Sequence, residues 1–242
     1  MVKYKSKAVV LLFSLFVIAF NAKAQNNKVG TFGIATVVLP GDSAHKWGGY
    51  AELQTRSNEL INQFFYYETK AGISYDLDRS FTALLGTGRY VTNENPNNLA
   101  IATEFRLWEQ MTDNQYLYRV KLEHRYRIEQ RWVNGIYRNR FRYRLNMFVP
   151  LNNTKIVAKT FFISVYDEVF LNNAAPHFER NRFSAALGYQ VDKAINVQAG
   201  WLNQYNYSPT FAAAKNNLAL TFMYRINRKN AKPREHMPST GD

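Results

Sequence analysis

"YRNRFRYRLNMF", residues 137–148, places arginine at 138, 140, 142 and 144, with Tyr137, Phe141, Tyr143, Leu145 and Met147 in the intervening register. On a helix, steps of two residues rotate by about 200°, which would scatter the four guanidiniums around the cylinder. On a strand all four fall on one face and the aromatic and aliphatic side chains on the other. The stretch is therefore a strand with a cationic face and an apolar face, and the fold follows from what lies against each.

The preceding segment has the same construction. In "YLYRVKLEHRYRIEQ" (116–130), Tyr118, Val120, Leu122, Tyr126 and Ile128 share a face with His124, opposite Arg119, Lys121, Glu123, Arg125, Arg127 and Glu129. Similar segments are read as strands near 48–57, 63–76, 79–91, 99–110, 115–129, 137–149, 154–169, 180–191, 194–206 and 216–228. Most exceed the five or six residues usual in globular sheets. They match a tilted membrane-spanning strand, about 9–11 residues in hydrocarbon plus rims. Mean hydropathy is −0.38, so a hydropathy scan alone reads the chain as soluble, whereas the alternation gives each strand one face suited to lipid.

At the N-terminus, Lys3, Lys5 and Lys7 precede the apolar run 8–20, and "AKA" (22–24) supplies small residues before Gln25. The run is too short to span a bilayer and has the layout of a secretory signal peptide. Residues 1–24 are thus expected to be cleaved, leaving a barrel domain over 25–228 and a polar tail over 229–242. Removing four lysines (3, 5, 7 and 23) lowers the formal charge from +13 to +9. The chain has no cysteine, which excludes disulfides, thiolate metal sites and an N-terminal lipidated cysteine.

The connections are expected to alternate in length. Tight turns are read at 76–80, 111–114, 150–154 and 191–194, and longer loops at 57–62, 92–98, 130–136, 171–179 and 207–215. Short periplasmic turns and longer outer loops are the habit of bacterial outer-membrane barrels. The fold expected is all-β: an antiparallel up-and-down transmembrane β-barrel of about 10–12 strands, with the chain end on the periplasmic side. The segment 29–39 is an extra strand whose placement the count leaves open, because single-chain bacterial barrels usually have an even number. Aromatic girdles are expected from residues 63–68, Trp47, Trp108, Trp132, Tyr189, Trp201 and Tyr224.

With the apolar faces toward lipid, the charged faces meet inside. The interior charge network is expected to comprise Glu52, Glu104, Arg106, Arg119, Glu123, Arg125, Arg127, Arg138, Arg140, Arg142, Arg144, Glu168 and Arg182. A narrow barrel can be largely filled by such side chains. Two uses of the interior stand open: a paired Arg/Glu packing with a structural or surface-interaction role, or a basic constriction for small anions, as arginine rings form in anion pores. A third reading, more remote, is an outer-membrane enzyme acting on lipids; such enzymes carry His-x-Ser, and none of the four histidines is followed by serine at that spacing. No catalytic residue, cofactor or metal is expected; Asp76-x-Asp78 and "SAH" (43–45) read as turn chemistry, and Gly86 and Gly88 as close backbone approach. Expected partners are outer-membrane lipid and lipopolysaccharide, with the barrel-assembly machinery during insertion. A monomer is expected, and an exported barrel has no nucleic acid to meet.

"ELQTRS" (52–57), "KLEHRYR" (121–127), "NRFRYRL" (139–145), "YDEVF" (166–170) and "ERNRFSAALGYQ" (179–190) resemble the domain-of-unknown-function family 2490, exported proteins of Gram-negative bacteria similar to outer-membrane barrels. The resemblance implies an outer-membrane location and a barrel, and carries no activity. It also implies that Glu52, Glu123, Arg125, Arg142, Arg144, Glu168 and Arg182 lie in the lumen.

Overall fold

A computed structural model describes residues 28–42, 44–93 and 102–228; the segments read as signal peptide (1–24) and polar tail (229–242) lie outside the described residues, as does most of the loop 92–98. Among the described residues, eleven strands run in chain order: β1 (Gly30–Leu39), β2 (Trp47–Glu59), β3 (Asn62–Asp76), β4 (Phe81–Thr92), β5 (Ala102–Leu117), β6 (Val120–Val133), β7 (Ile136–Pro150), β8 (Thr160–Asn172), β9 (Phe178–Gln190), β10 (Ile195–Ser208) and β11 (Phe211–Arg225). Each pairs with its sequence neighbours, and β1 closes the barrel against β11. Ten of the eleven are the strands read from alternation, and the unplaced segment is β1.

The closing pair departs from the expected pattern. From β1 to β11 every neighbour is antiparallel, but β1 and β11 run parallel, with Gly30 beside Asn217 and Val38 beside Arg225. An odd strand count forces this, since in an up-and-down order the first and eleventh strands point the same way. Closure leaves no sheet edge unpaired.

The expected short-and-long loop asymmetry is absent. At the rim where β1 begins, the N-terminal rim, two-residue turns join β2 to β3, β6 to β7 and β10 to β11. Residues 151–159 form a long connection at the opposite, C-terminal rim, where β11 ends. Within 130–136, Asn134 and Gly135 both adopt positive φ (48° and 83°), the mark of a type I′ hairpin. "MTDN" (111–114) is not a turn. Alternation continues through it, with Thr112 and Asn114 buried, and the chain reverses instead at Tyr118 and Arg119. At 191–194 the turn is genuine: the Asp192 carboxylate accepts the N–H groups of Ala194 (2.7 Å) and Ile195 (2.8 Å), which hold its pKa below the usual aspartate range.

The polarity of the fold is inverted relative to a water-soluble domain. On β7, Arg140, Arg142, Arg144, Asn146 and Phe148 are buried inside, while Phe141, Tyr143 and Leu145 are exposed outside. The same holds around the wall, where Leu53, Ile73, Leu85, Phe105, Ile128, Ile163, Leu187 and Phe222 all face outward. Glycine permits tight packing inside: a Cβ on Gly86 would enter the Trp108 ring, and one on Gly88 would meet the Lys70 stem at 2.9 Å. Trp108, expected in a girdle, is completely buried inside the barrel instead.

Candidate functional site

The buried charges are the feature that a function must use. On the strands, ten cations are buried (Arg56, Lys70, Arg106, Lys121, Arg125, Arg127, Arg140, Arg142, Arg144 and Arg182) against six acids (Glu52, Glu68, Asp76, Glu123, Glu129 and Glu168). Most of these glutamates therefore serve more than one cation, as Glu68, Glu123, Glu129 and Glu168 each do. A buried charge is costly unless it is paired and its remaining hydrogen-bonding groups are satisfied.

Strand register creates the problem. Arg125 stands directly opposite Arg144, and Arg127 opposite Arg142, on β6 and β7. Like charges facing each other across a pair destabilise it. The next strands resolve it. From β8, Glu168 Oε1 accepts Arg125 Nη2 at 2.6 Å and Arg142 Nη2 at 2.9 Å. From β6, Glu129 takes Arg142 Nη1 at 2.6 Å and Arg140 Nη2 at 2.5 Å. Arg127 donates through Nε and Nη2 to Gln110 Oε1 on β5, at 2.9 and 2.7 Å.

The pairs join into one chain of alternating sign. Arg106 grips Glu104 through two bonds of 2.6 and 2.8 Å, and Glu104 also holds Arg131. Arg131 meets Glu179 at 3.0 Å, Glu179 meets Arg140 at 2.8 Å, and Arg140 leads through Glu129, Arg142 and Glu168 to Arg125. The bidentate Arg–carboxylate fork fixes orientation as well as energy. Near the C-terminal rim, Glu123 takes Lys121 at 3.0 Å and Arg144 at 3.9 Å. A separate, charge-balanced patch lies on β2 and β3, where Lys70 bridges Glu52 and Glu68 and Arg56 reaches Glu68 at 3.3 Å.

Aromatic rings hold the remaining positive faces. The guanidinium carbons of Arg142, Arg182, Arg140 and Arg180 lie 4.5, 5.0, 5.2 and 5.6 Å from the centre of the Phe170 ring. Arg106 stacks at 3.5 Å on Tyr90, and Arg127 lies 5.0 Å from Trp108. Desolvated contacts of this kind contribute on the order of 2 kcal/mol. Arg182 and Arg180 also donate to the neutral amides of Gln204 (2.9 Å) and Asn206 (2.6 Å).

Of the thirteen positions expected in the interior network, Glu52, Arg106, Glu123, Arg125, Arg127, Arg140, Arg142, Arg144, Glu168 and Arg182 are buried in the barrel and Glu104 is half-buried. Two are elsewhere. Arg119 sits in the β5–β6 turn and donates to the carbonyls of Pro150, Leu151 and Asn153. Arg138 is exposed, because β7 starts only two residues earlier, after the Asn134-Gly135 turn. Arg56, Glu68, Lys70, Arg131, Glu179 and Arg180 belong to the network and were missed, and Lys121 and Glu129, read on the charged face of 116–130 but not among the thirteen, join it as well. Glu179 and Arg180 sit at a register shift in the β8–β9 pairing, where simple alternation gives no signal. His124 points outward, its Nδ1 2.9 Å from the Tyr143 hydroxyl. Among the described residues no cluster of histidine and acidic side chains is arranged to hold a metal ion.

The family model for proteins of unknown function DUF2490 matches residues 35–217. The chain belongs to this family. The DUF2490 match spans the strands that build the charged interior, from within β1 to within β11. Comparison with curated proteins and with solved structures gave no match.

Proposed function

We propose that this DUF2490 protein is a bacterial outer-membrane β-barrel whose interior is largely filled by its arginine–glutamate–aromatic packing, and whose role is structural or one of surface interaction rather than catalytic. One observation carries the reading: a closed barrel whose outer wall is apolar and whose buried face is charged and ion-paired. Such a wall in water would expose far more contiguous apolar surface than soluble monomers do. In lipid the same wall is solvated, and closure satisfies the backbone groups that hydrocarbon cannot. The proposal includes export by the N-terminal signal segment to the outer membrane of a Gram-negative cell, insertion by the barrel-assembly machinery as a monomer, and contact with outer-membrane lipid and lipopolysaccharide.

A second reading rests on the cation excess. Ten buried cations over six buried acids on the strands would give a narrow water path strong anion selectivity. Single-channel recording of the refolded protein in planar bilayers separates the two. A folded, inserted barrel that passes no steady current is the expected result. Anion-selective current that weakens in Arg142→Ala/Arg144→Ala would replace the filled-lumen reading with the pore. Failure to insert at all, by protein that shows heat-modifiable gel mobility, would overturn the membrane assignment itself.

A further inference from the structure

The outer wall carries a groove along the parallel β1–β11 seam. Its volume is about 810 Å3, within the range of roughly 300–1,000 Å3 typical of small-molecule sites. Gly33 and Ala35 of β1 and Ala199 of β10 form a small-residue floor, with Phe161 of β8 on one flank and Leu53 and Tyr67 of β2 and β3 on the other. A convex wall could not bring outward side chains of β8 and β3 into one cavity, so the wall is drawn inward along the seam. The interior agrees: Phe32 on β1 belongs to a cluster with Leu202 and Ala219 on which Tyr166 of β8 packs, and Arg182 of β9 lies 5.7 Å from the Phe32 ring.

The strands that form this groove end, at the C-terminal rim, in a set of cations. Lys46, Lys159 and Lys193 are exposed there, with Arg228 just beyond β11. The neighbouring acids are engaged locally. Asp42 accepts backbone N–H groups of Ala44 and His45 and lies 3.5 Å from Arg228, and Asp192 caps its own turn. An apolar groove capped at one end by lysines fits an amphiphile with hydrocarbon tails and an anionic head. A second copy of the barrel does not fit, because an indented wall is not complementary to itself across a two-fold axis.

We propose that the seam groove is a binding site for an anionic phospholipid, with acyl chain along Gly33, Ala35 and Ala199 and the phosphate at the Lys46/Lys159/Lys193 rim. This rests on the membrane reading above. The observations favour the phosphodiester of a phospholipid over the larger multi-acyl lipopolysaccharide, since the groove is of single-ligand size.

The test is native mass spectrometry of the refolded full barrel, released from vesicles of phosphatidylglycerol, of phosphatidylcholine, or of either with added lipopolysaccharide. Retention of phosphatidylglycerol in preference to phosphatidylcholine is expected, and it is lost in Ala35→Trp/Ala199→Trp, which fills the floor. Lys159→Gln and Lys193→Gln each lower retention roughly fivefold, the equivalent of about 1 kcal/mol per basic residue at an anionic surface. These rim variants leave the wall untouched, so they report even where the tryptophan variant fails to fold. Equal retention of both phospholipids, preference for lipopolysaccharide, dimers abolished by Ala35→Trp, or an inserted barrel without retained lipid would each overturn the site. A barrel that never enters the vesicles fails the membrane reading instead, and gel mobility with vesicle flotation identifies that case.

Discussion

Glu168→Gln tests the interior most directly. The carboxylate is completely buried, and its Oε1 accepts Arg125 Nη2 at 2.6 Å together with Arg142 Nε at 3.0 Å and Nη2 at 2.9 Å. Arg144 and Arg182 are its direct register partners on β7 and β9. The glutamine is nearly isosteric and keeps an acceptor oxygen, so the change removes charge rather than volume. It leaves two buried guanidiniums without the carboxylate that separates them from other arginines. Breaking a buried pair by neutralising one partner costs about 3–5 kcal/mol, a large part of the roughly 5–15 kcal/mol typical of folded proteins. Equilibrium urea unfolding of the barrel in lipid vesicles, followed by tryptophan fluorescence and gel mobility, measures it. Adding Arg142→Gln removes one of the stranded cations, so the double variant should lose less than the sum of the singles, with a coupling of about 1–3 kcal/mol. A loss below about 1 kcal/mol for Glu168→Gln, the range of exposed ion pairs, would show that the interior is well hydrated and refute the packed-network account.

Three further outcomes follow from the same geometry. Phe141→Arg, on the outer wall between Ile128 and Leu171, should cost about 2–4 kcal/mol in vesicles, whereas Arg138→Ala at the rim should change stability by less than about 0.5 kcal/mol; equal effects in the same unfolding assay would count against a lipid-facing wall. Gly86→Ala should destabilise by about 1–3 kcal/mol, because its Cβ meets the Trp108 ring, and the displaced indole should change the near-ultraviolet circular dichroism. The folded-state pKa of Asp192 is depressed, so its contribution to the turn is present above the ordinary aspartate pKa and lost as pH falls through the depressed value. Hydrogen exchange at Ala194 and Ile195 should therefore accelerate on acidification relative to the intrinsic rate, and Asp192→Ala should show that acceleration already at neutral pH.

The sequence by itself determined the strands and their inside and outside faces, because a period of two is written in the residues wherever one face is charged and the other apolar. β7 is legible from Arg140, Arg142 and Arg144 alone. The Asn134-Gly135 turn was equally legible, since both residues tolerate positive φ, and reading 130–136 as a long loop overlooked it. "MTDN" misled for the opposite reason: turn-forming residue types sit inside β5, where Thr112 and Asn114 serve as interior polar residues. Tertiary structure decided the rest. Which carboxylate reaches which arginine depends on contacts between strands far apart in the chain, such as Glu168 with Arg125, 43 residues away, and no local pattern encodes them. The parallel seam comes from the total strand count, a property of the whole chain. The groove depends on how far the wall bends inward when β1 closes against β11, so it exists only once the barrel has shut.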